Sequence, residues 1–133
     1  MKQIHKLFRL LADPRSYGVN KNSRAYGNLL TLAITGEAVT GYSSFCSYNV
    51  DTALVGSALS AAGVAHRCYN VAPRGGACGE RVALTGQVLR DVRKAFTCFA
   101  AVKDISCGGY HWWYDVRLRA SYLNYIIEAA KTL

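Results

Sequence analysis

The chain has 133 residues, 51% of them hydrophobic and 18% charged, values that suit one folded domain over residues 1–133 and exclude a disordered or low-complexity polypeptide. Its formal net charge of +8 points toward an anionic partner, such as nucleic acid, a membrane surface or an acidic protein patch, and also serves solubility. The charge is uneven: residues 1–24 oppose six cations with Asp13 alone, residues 25–66 hold only Glu37 and Asp51, and residues 67–133 are basic again, so the middle reads as core.

Residues 2–12 form a predicted helix with Ile4, Leu7, Phe8 and Leu11 on one face and Lys2, Lys6 and Arg9 on the other, stopped by Asp13-Pro14. That apolar face suits docking on a core better than lying on a membrane, which needs a wider face and usually Trp. Residues 16–28, rich in Gly, Asn and Ser, read as a loop in which Tyr17, Lys21, Arg24 and Tyr26 interleave aromatics and cations. Such a mixture holds single-stranded nucleic acid when a sheet supports it, and a loop has no such support.

Residues 29–35 are apolar and β-branched, and with residues 38–48 beyond Gly36-Glu37 they predict a hairpin, Gly41 marking a bulge. Asp51 is placed to cap a helix over residues 52–62, and Gly63 to end it. The small residues Ala53, Gly56, Ser57, Ser60 and Ala61 would let that helix pack closely on a sheet or a partner. Residues 64–71 return as a strand, and if the flanking strands are parallel the crossover is right-handed.

Residues 71–81, VAPRGGACGER, read as a strand running into a glycine turn and then a helix start. The helix that follows has Leu89, Val92, Phe96 and Phe99 at three- and four-residue steps, with Val88 and Ala95 flanking. Arg90, Arg93 and Lys94 share the opposite face. Residues 103–109 read as a turn. Tyr110, Trp112, Tyr114, Val116 and Leu118 then alternate with His111, Trp113, Asp115, Arg117 and Arg119, the period of a strand. A helix beginning near Asp115 competes for this stretch, and a closing helix is expected over residues 120–133.

Exposed backbone N–H groups at a helix start can hold a phosphate, so Arg74, Gly75, Gly76 and Gly79 are candidate cofactor-binding residues. The order resembles the acyl-CoA-binding loop of GNAT-type acetyltransferases, with Arg74 at the first position, Gly79 at the last and Ala77 in place of the inner glycine. The run Ala38-Val39-Thr40-Gly41-Tyr42 is similar to the strand just upstream in that family. The resemblance implies an acyltransferase whose coenzyme pyrophosphate lies against residues 74–79; the helix over 52–62 departs from it.

Cys78 beside Arg74 and Arg81 is a candidate nucleophile with His66 or His111 as base, although no signature joins them. His66, Cys68, Cys107 and His111 carry metal-ligating atoms but match no zinc spacing, so no metal is expected. Five cysteines in no paired pattern indicate reduced thiols, and with no signal segment or spanning run they indicate a cytoplasmic protein without a membrane partner.

The expected fold is therefore α+β, a single compact domain with a small mixed or antiparallel sheet packed by about four helices. The expected function is non-enzymatic binding, without a cofactor, to nucleic acid or an acidic protein surface. Arg90, Arg93 and Lys94 would act there with Trp113, Arg117 and Arg119, and Trp113 would be the exposed aromatic. In size, charge and lack of a catalytic set the chain resembles small accessory proteins of phages and mobile elements, some of which inhibit host nucleoprotein complexes. The alternative is the GNAT-like acyltransferase.

Overall fold

The first helix, α1 (Gln3–Ala12), buries Ile4, Leu7 and Leu11 and turns Arg9 outward as its periodicity predicts, but it also buries Leu10, and Phe8 of the expected stripe is only partly buried. A 3-10 turn, Pro14–Tyr17, follows where Asp13-Pro14 breaks the helix. In the computed structural model, which describes residues 1–44, 47–74, 77–96, 124 and 127–128, the elements then run in a fixed order. They are α2 (Arg24–Thr35), β1 (Glu37–Ser44), β2 (Ser47–Val50), α3 (Thr52–Ala62), β3 (His66–Arg74), β4 (Ala77–Leu84) and α4 (Gly86–Phe96).

The second helix corrects two expectations. Residues 16–28 are not one loop, because Ser23 caps a helix from Arg24, its hydroxyl accepting from the Tyr26 N–H at 3.3 Å. Residues 29–35 are not a strand but the rest of that helix. Every residue from Ala25 to Ile34 is buried, so the segment has no polar face and no helical stripe for a pattern argument to find. Its β-branched threonines are reconciled to the helix by back-bonding: Thr31 Oγ1 donates to the Gly27 carbonyl at 3.0 Å and Thr35 Oγ1 to the Thr31 carbonyl at 2.8 Å.

Contacts around α2 account for the burial. It packs on β1 and β4 and also on α1, α3 and α4. Tyr26, 1% exposed, donates its hydroxyl to the Leu11 carbonyl at 2.8 Å, satisfying one of the carbonyls that α1 leaves open at its end. Gly36 closes the helix in the left-handed conformation, φ 85°, and a Cβ there would lie 2.5 Å from Leu89 Cδ1 of α4. The left-handed φ favours glycine, and any side chain there would also have to displace the Leu89 methyl.

The four strands form one antiparallel sheet in the order β2-β1-β4-β3, two hairpins joined through β1 and β4. The hairpin expected from residues 29–48 is thus made by β1 and β2 alone. The bulge falls between Val39 and Gly41, where the register to β4 shifts. Because β2 and β3 are opposite edges and antiparallel, the strand, helix, strand order is not a parallel crossover. Helix α3 carries the chain across the sheet instead, packing on β3, β4 and β1. Ala38, Thr40, Val82 and Leu84 are buried, on the side covered by α2 and α3.

Asp51 does stand at the N-cap of α3, but its side chain makes no cap bond and pairs with Arg24 at 3.9 Å. Gly63 ends α3 in the left-handed conformation as expected. Gly56 is set against β3, where a Cβ would lie 3.5 Å from Cys68 Sγ, while Ala53, Ser57, Ser60 and Ala61 are exposed. Asn124, Ile127 and Glu128 are helical, in keeping with a closing helix. The turn and strand expected over residues 103–119 lie outside the described residues.

If α2 holds the fold together, Leu30→Ala removes buried side-chain volume that nothing nearby can replace. A loss of about 2–5 kcal/mol is expected in urea unfolding. Leu54→Ala, at a position 39% exposed on α3, should cost far less.

Candidate functional site

Helix α4 places three cations on one surface. Val88 and Val92 are fully buried and Leu89 and Ala95 partly so, which fixes the helix about its axis and turns Arg90, Arg93 and Lys94 outward, all exposed. Arg90 Nε donates to Gln87 Oε1 at 3.1 Å, and Gln87 Nε2 donates to Asp91 Oδ1 at 2.9 Å, steadying the first turns. Among the described residues neither Arg90 nor Arg93 enters an ion pair. Helix α1, which packs beside α4, carries the exposed Arg9. Lys6 is directed elsewhere: its Nζ would come 3.4 Å from a Cβ on Gly63, over the carbonyl end of α3, where a cation is favoured. Trp113, Arg117 and Arg119, expected to share this surface, lie outside the described residues.

The glycine run is placed differently from its sequence reading. Arg74 and Ala77 pair across the end of the β3–β4 hairpin, with Gly75 and Gly76 outside the described residues. Gly79 sits inside β4, opposite Tyr42 of β1 on one side and Val71 of β3 on the other. The helix start expected there comes only at Gly86. The backbone at Gly79 is therefore part of a strand flanked on both edges and lacks the free N–H groups of a helix terminus. Cys78 is likewise a strand residue opposite Ser43 and does not stand at a helix start.

Two polar clusters form that sequence spacing did not reveal. At the start of α3, Thr52 Oγ1 donates to Glu80 Oε2 at 2.6 Å and lies 2.7 Å from Thr40 Oγ1. Thr40 is the residue at the bulge, and its carbonyl accepts from the Asp51 N–H at 2.7 Å. These groups satisfy one another, which makes the cluster a clamp between α3, β1 and β4 and leaves it little capacity for a ligand.

The second cluster lies on the other side of the sheet. Tyr69 donates its hydroxyl to Glu37, Arg81 Nη1 lies 3.6 Å from the same carboxylate, and the Arg67 guanidinium carbon lies 4.8 Å from the Tyr69 ring centroid. The alternation of Arg67 and Tyr69 with Cys68 and Asn70 carried part of this signal, but Glu37 and Arg81 join it only through strand register.

His66 Nδ1 lies 2.8 Å from the Val64 carbonyl. Cys68 is a free, exposed thiol. Cys107 and His111, the other sequence candidates for a metal, are outside the described residues, and among those described no group of three or more His, Cys, Asp or Glu could hold a metal ion. No described helix is long and apolar enough to cross a membrane. No family model, curated protein or solved structure matches the chain.

The two kinds of site respond differently to substitution. Thr52→Val leaves Glu80 and Thr40 without their shared partner and should cost about 1–3 kcal/mol in chemical denaturation. Replacing Arg90, Arg93 and Lys94 together by Gln should change stability by less than about 1.5 kcal/mol, since all three lie outside the core.

Proposed function

We propose that the protein is a small, non-enzymatic binding protein that docks on a polyanion through the outer face of α4. The observation that supports this reading is the exposure of Arg90 and Arg93 opposite the buried Val88 and Val92, with no ion pair to either among the described residues. A helix pinned by its apolar side and presenting cations on the other fits the spaced phosphates of nucleic acid or a row of carboxylates. Lys94 extends the same face, and Arg9 lies on the neighbouring helix α1. A protein of this kind, like the phage and mobile-element accessory proteins it resembles in size and charge, would act by occupying the surface of a nucleoprotein complex. The acyltransferase reading has no comparable support, because Gly79 belongs to a strand rather than to a helix start.

Binding to a duplex oligonucleotide should weaken steeply as salt rises, since each phosphate neutralised contributes about −0.9 to the slope of log K against log salt. The Arg90→Gln, Arg93→Gln, Lys94→Gln variant should bind at least about tenfold more weakly at low salt, with a slope shallower by about 2 to 3. Filter binding across a salt series measures both. A slope that does not change in the variant would remove α4 from the binding surface.

A further inference from the structure

Among the described residues, the helices that cover the sheet, α2 and α3, lie on one side of it, and the other side holds an organised row of side chains. By register, Val39 of β1 stands opposite Arg81 of β4, which stands opposite Tyr69 of β3. One step along, Glu37, Ala83 and Arg67 form the next row. Val39 is 39% exposed, Arg67 is exposed, and the Arg81 and Glu37 side chains are 39% and 41% exposed. Tyr69 is half-buried and Ala83 is buried, so the two rows are open to solvent at Val39, Arg67, Arg81 and Glu37.

We propose that this face is a stacking surface for single-stranded nucleic acid, an inference that rests on the polyanion reading above and names the polyanion. Three observations carry it. The Tyr69 ring is held, not loose: its hydroxyl is tied to Glu37, and the sheet fixes its backbone. The Arg67 guanidinium stacks over that ring, and a planar cation supported on one side by an aromatic presents its other side to a nucleobase. Arg81, paired with Glu37 through Nη1 at 3.6 Å and 39% exposed, sets a second planar guanidinium on the same face.

The charge balance selects the partner. Two arginines and one glutamate make this face only weakly positive, too little to attract an acidic polypeptide by charge alone. Its recognition is through flat π surfaces, which every base has and an acidic side chain lacks. Phosphate attraction over the whole basic protein brings the strand in, and Arg67 and Tyr69 sort single strands from duplex, whose bases are already stacked.

The test is fluorescence anisotropy of the full chain with an oligo-dT of about 20 nucleotides and a duplex of equal length, with poly-L-glutamate as competitor. Tyr69→Ala should weaken oligo-dT binding about tenfold while leaving duplex affinity nearly unchanged, with some thermal stability lost for the broken bond to Glu37. Tyr69→Phe, which keeps the ring and loses the bond to Glu37, should restore single-strand binding. If Tyr69→Ala binds oligo-dT like the wild type while the α4 variant weakens both oligonucleotides, the stacking inference is overturned and the polyanion reading stands. Binding to poly-L-glutamate with no affinity for either oligonucleotide overturns the stacking inference and leaves an acidic protein as the partner. No binding to any of the three overturns both.

Discussion

Helix α2 is enclosed from Ala25 to Ile34, and the other elements are arranged by the need to cover it. A helix with no polar face cannot stand at a surface, so β1 and β4 close it on one side while α1, α3 and α4 close the others. The enclosure explains particular details. Gly36 is a glycine because α2 ends there in the left-handed conformation, φ 85°, with the Leu89 side chain of α4 close by. Tyr26 spends its hydroxyl on the last turn of α1 because a buried phenol needs a partner. Thr31 and Thr35 return their hydroxyls to the helix backbone for the same reason.

That arrangement also decides which surfaces are left for function. With α2 and α3 on one side of the sheet, the opposite side carries Arg67, Tyr69 and Arg81, Tyr69 and Arg81 both meeting Glu37, and no described helix covers it. With α1 and α4 packed on α2 rather than principally on the strands, the outer face of α4 is free to carry Arg90, Arg93 and Lys94. One surface is rich in charge and the other in stacking groups, and the helices between them keep the two apart. The clamp of Thr40, Thr52 and Glu80 belongs to neither: its hydrogen bonds are spent on joining α3 to the sheet.

Much of this was legible where an element has two unlike faces. The apolar stripes of α1 and α4 placed both helices, and the cationic side of α4 followed from the same periodicity. Gly63 marked the end of α3 because a left-handed residue was needed there. Helix α2 was hidden because burial on every side erases the stripe and because its threonines and isoleucine suit a strand equally well in isolation. The glycine run misled for a related reason: Gly75 and Gly76 signal a turn, and whether a strand or a helix follows depends on what lies beside it. The sheet cluster was invisible in principle, since Glu37, Tyr69 and Arg81 become neighbours only once β1, β4 and β3 are in register.

The proposed anion-facing surface comprises α4 and the side of the sheet that no described helix covers. The most direct measurement is a set of amide 1H–15N spectra of the full chain titrated with oligo-dT. Shifts are expected at Arg67 to Tyr69, at Arg81 and Ala83, and from Arg90 to Lys94. Shifts concentrated instead on the exposed side of α3, at Ala53, Ser57 and Ser60, or a spectrum unchanged at saturating oligonucleotide, would contradict it.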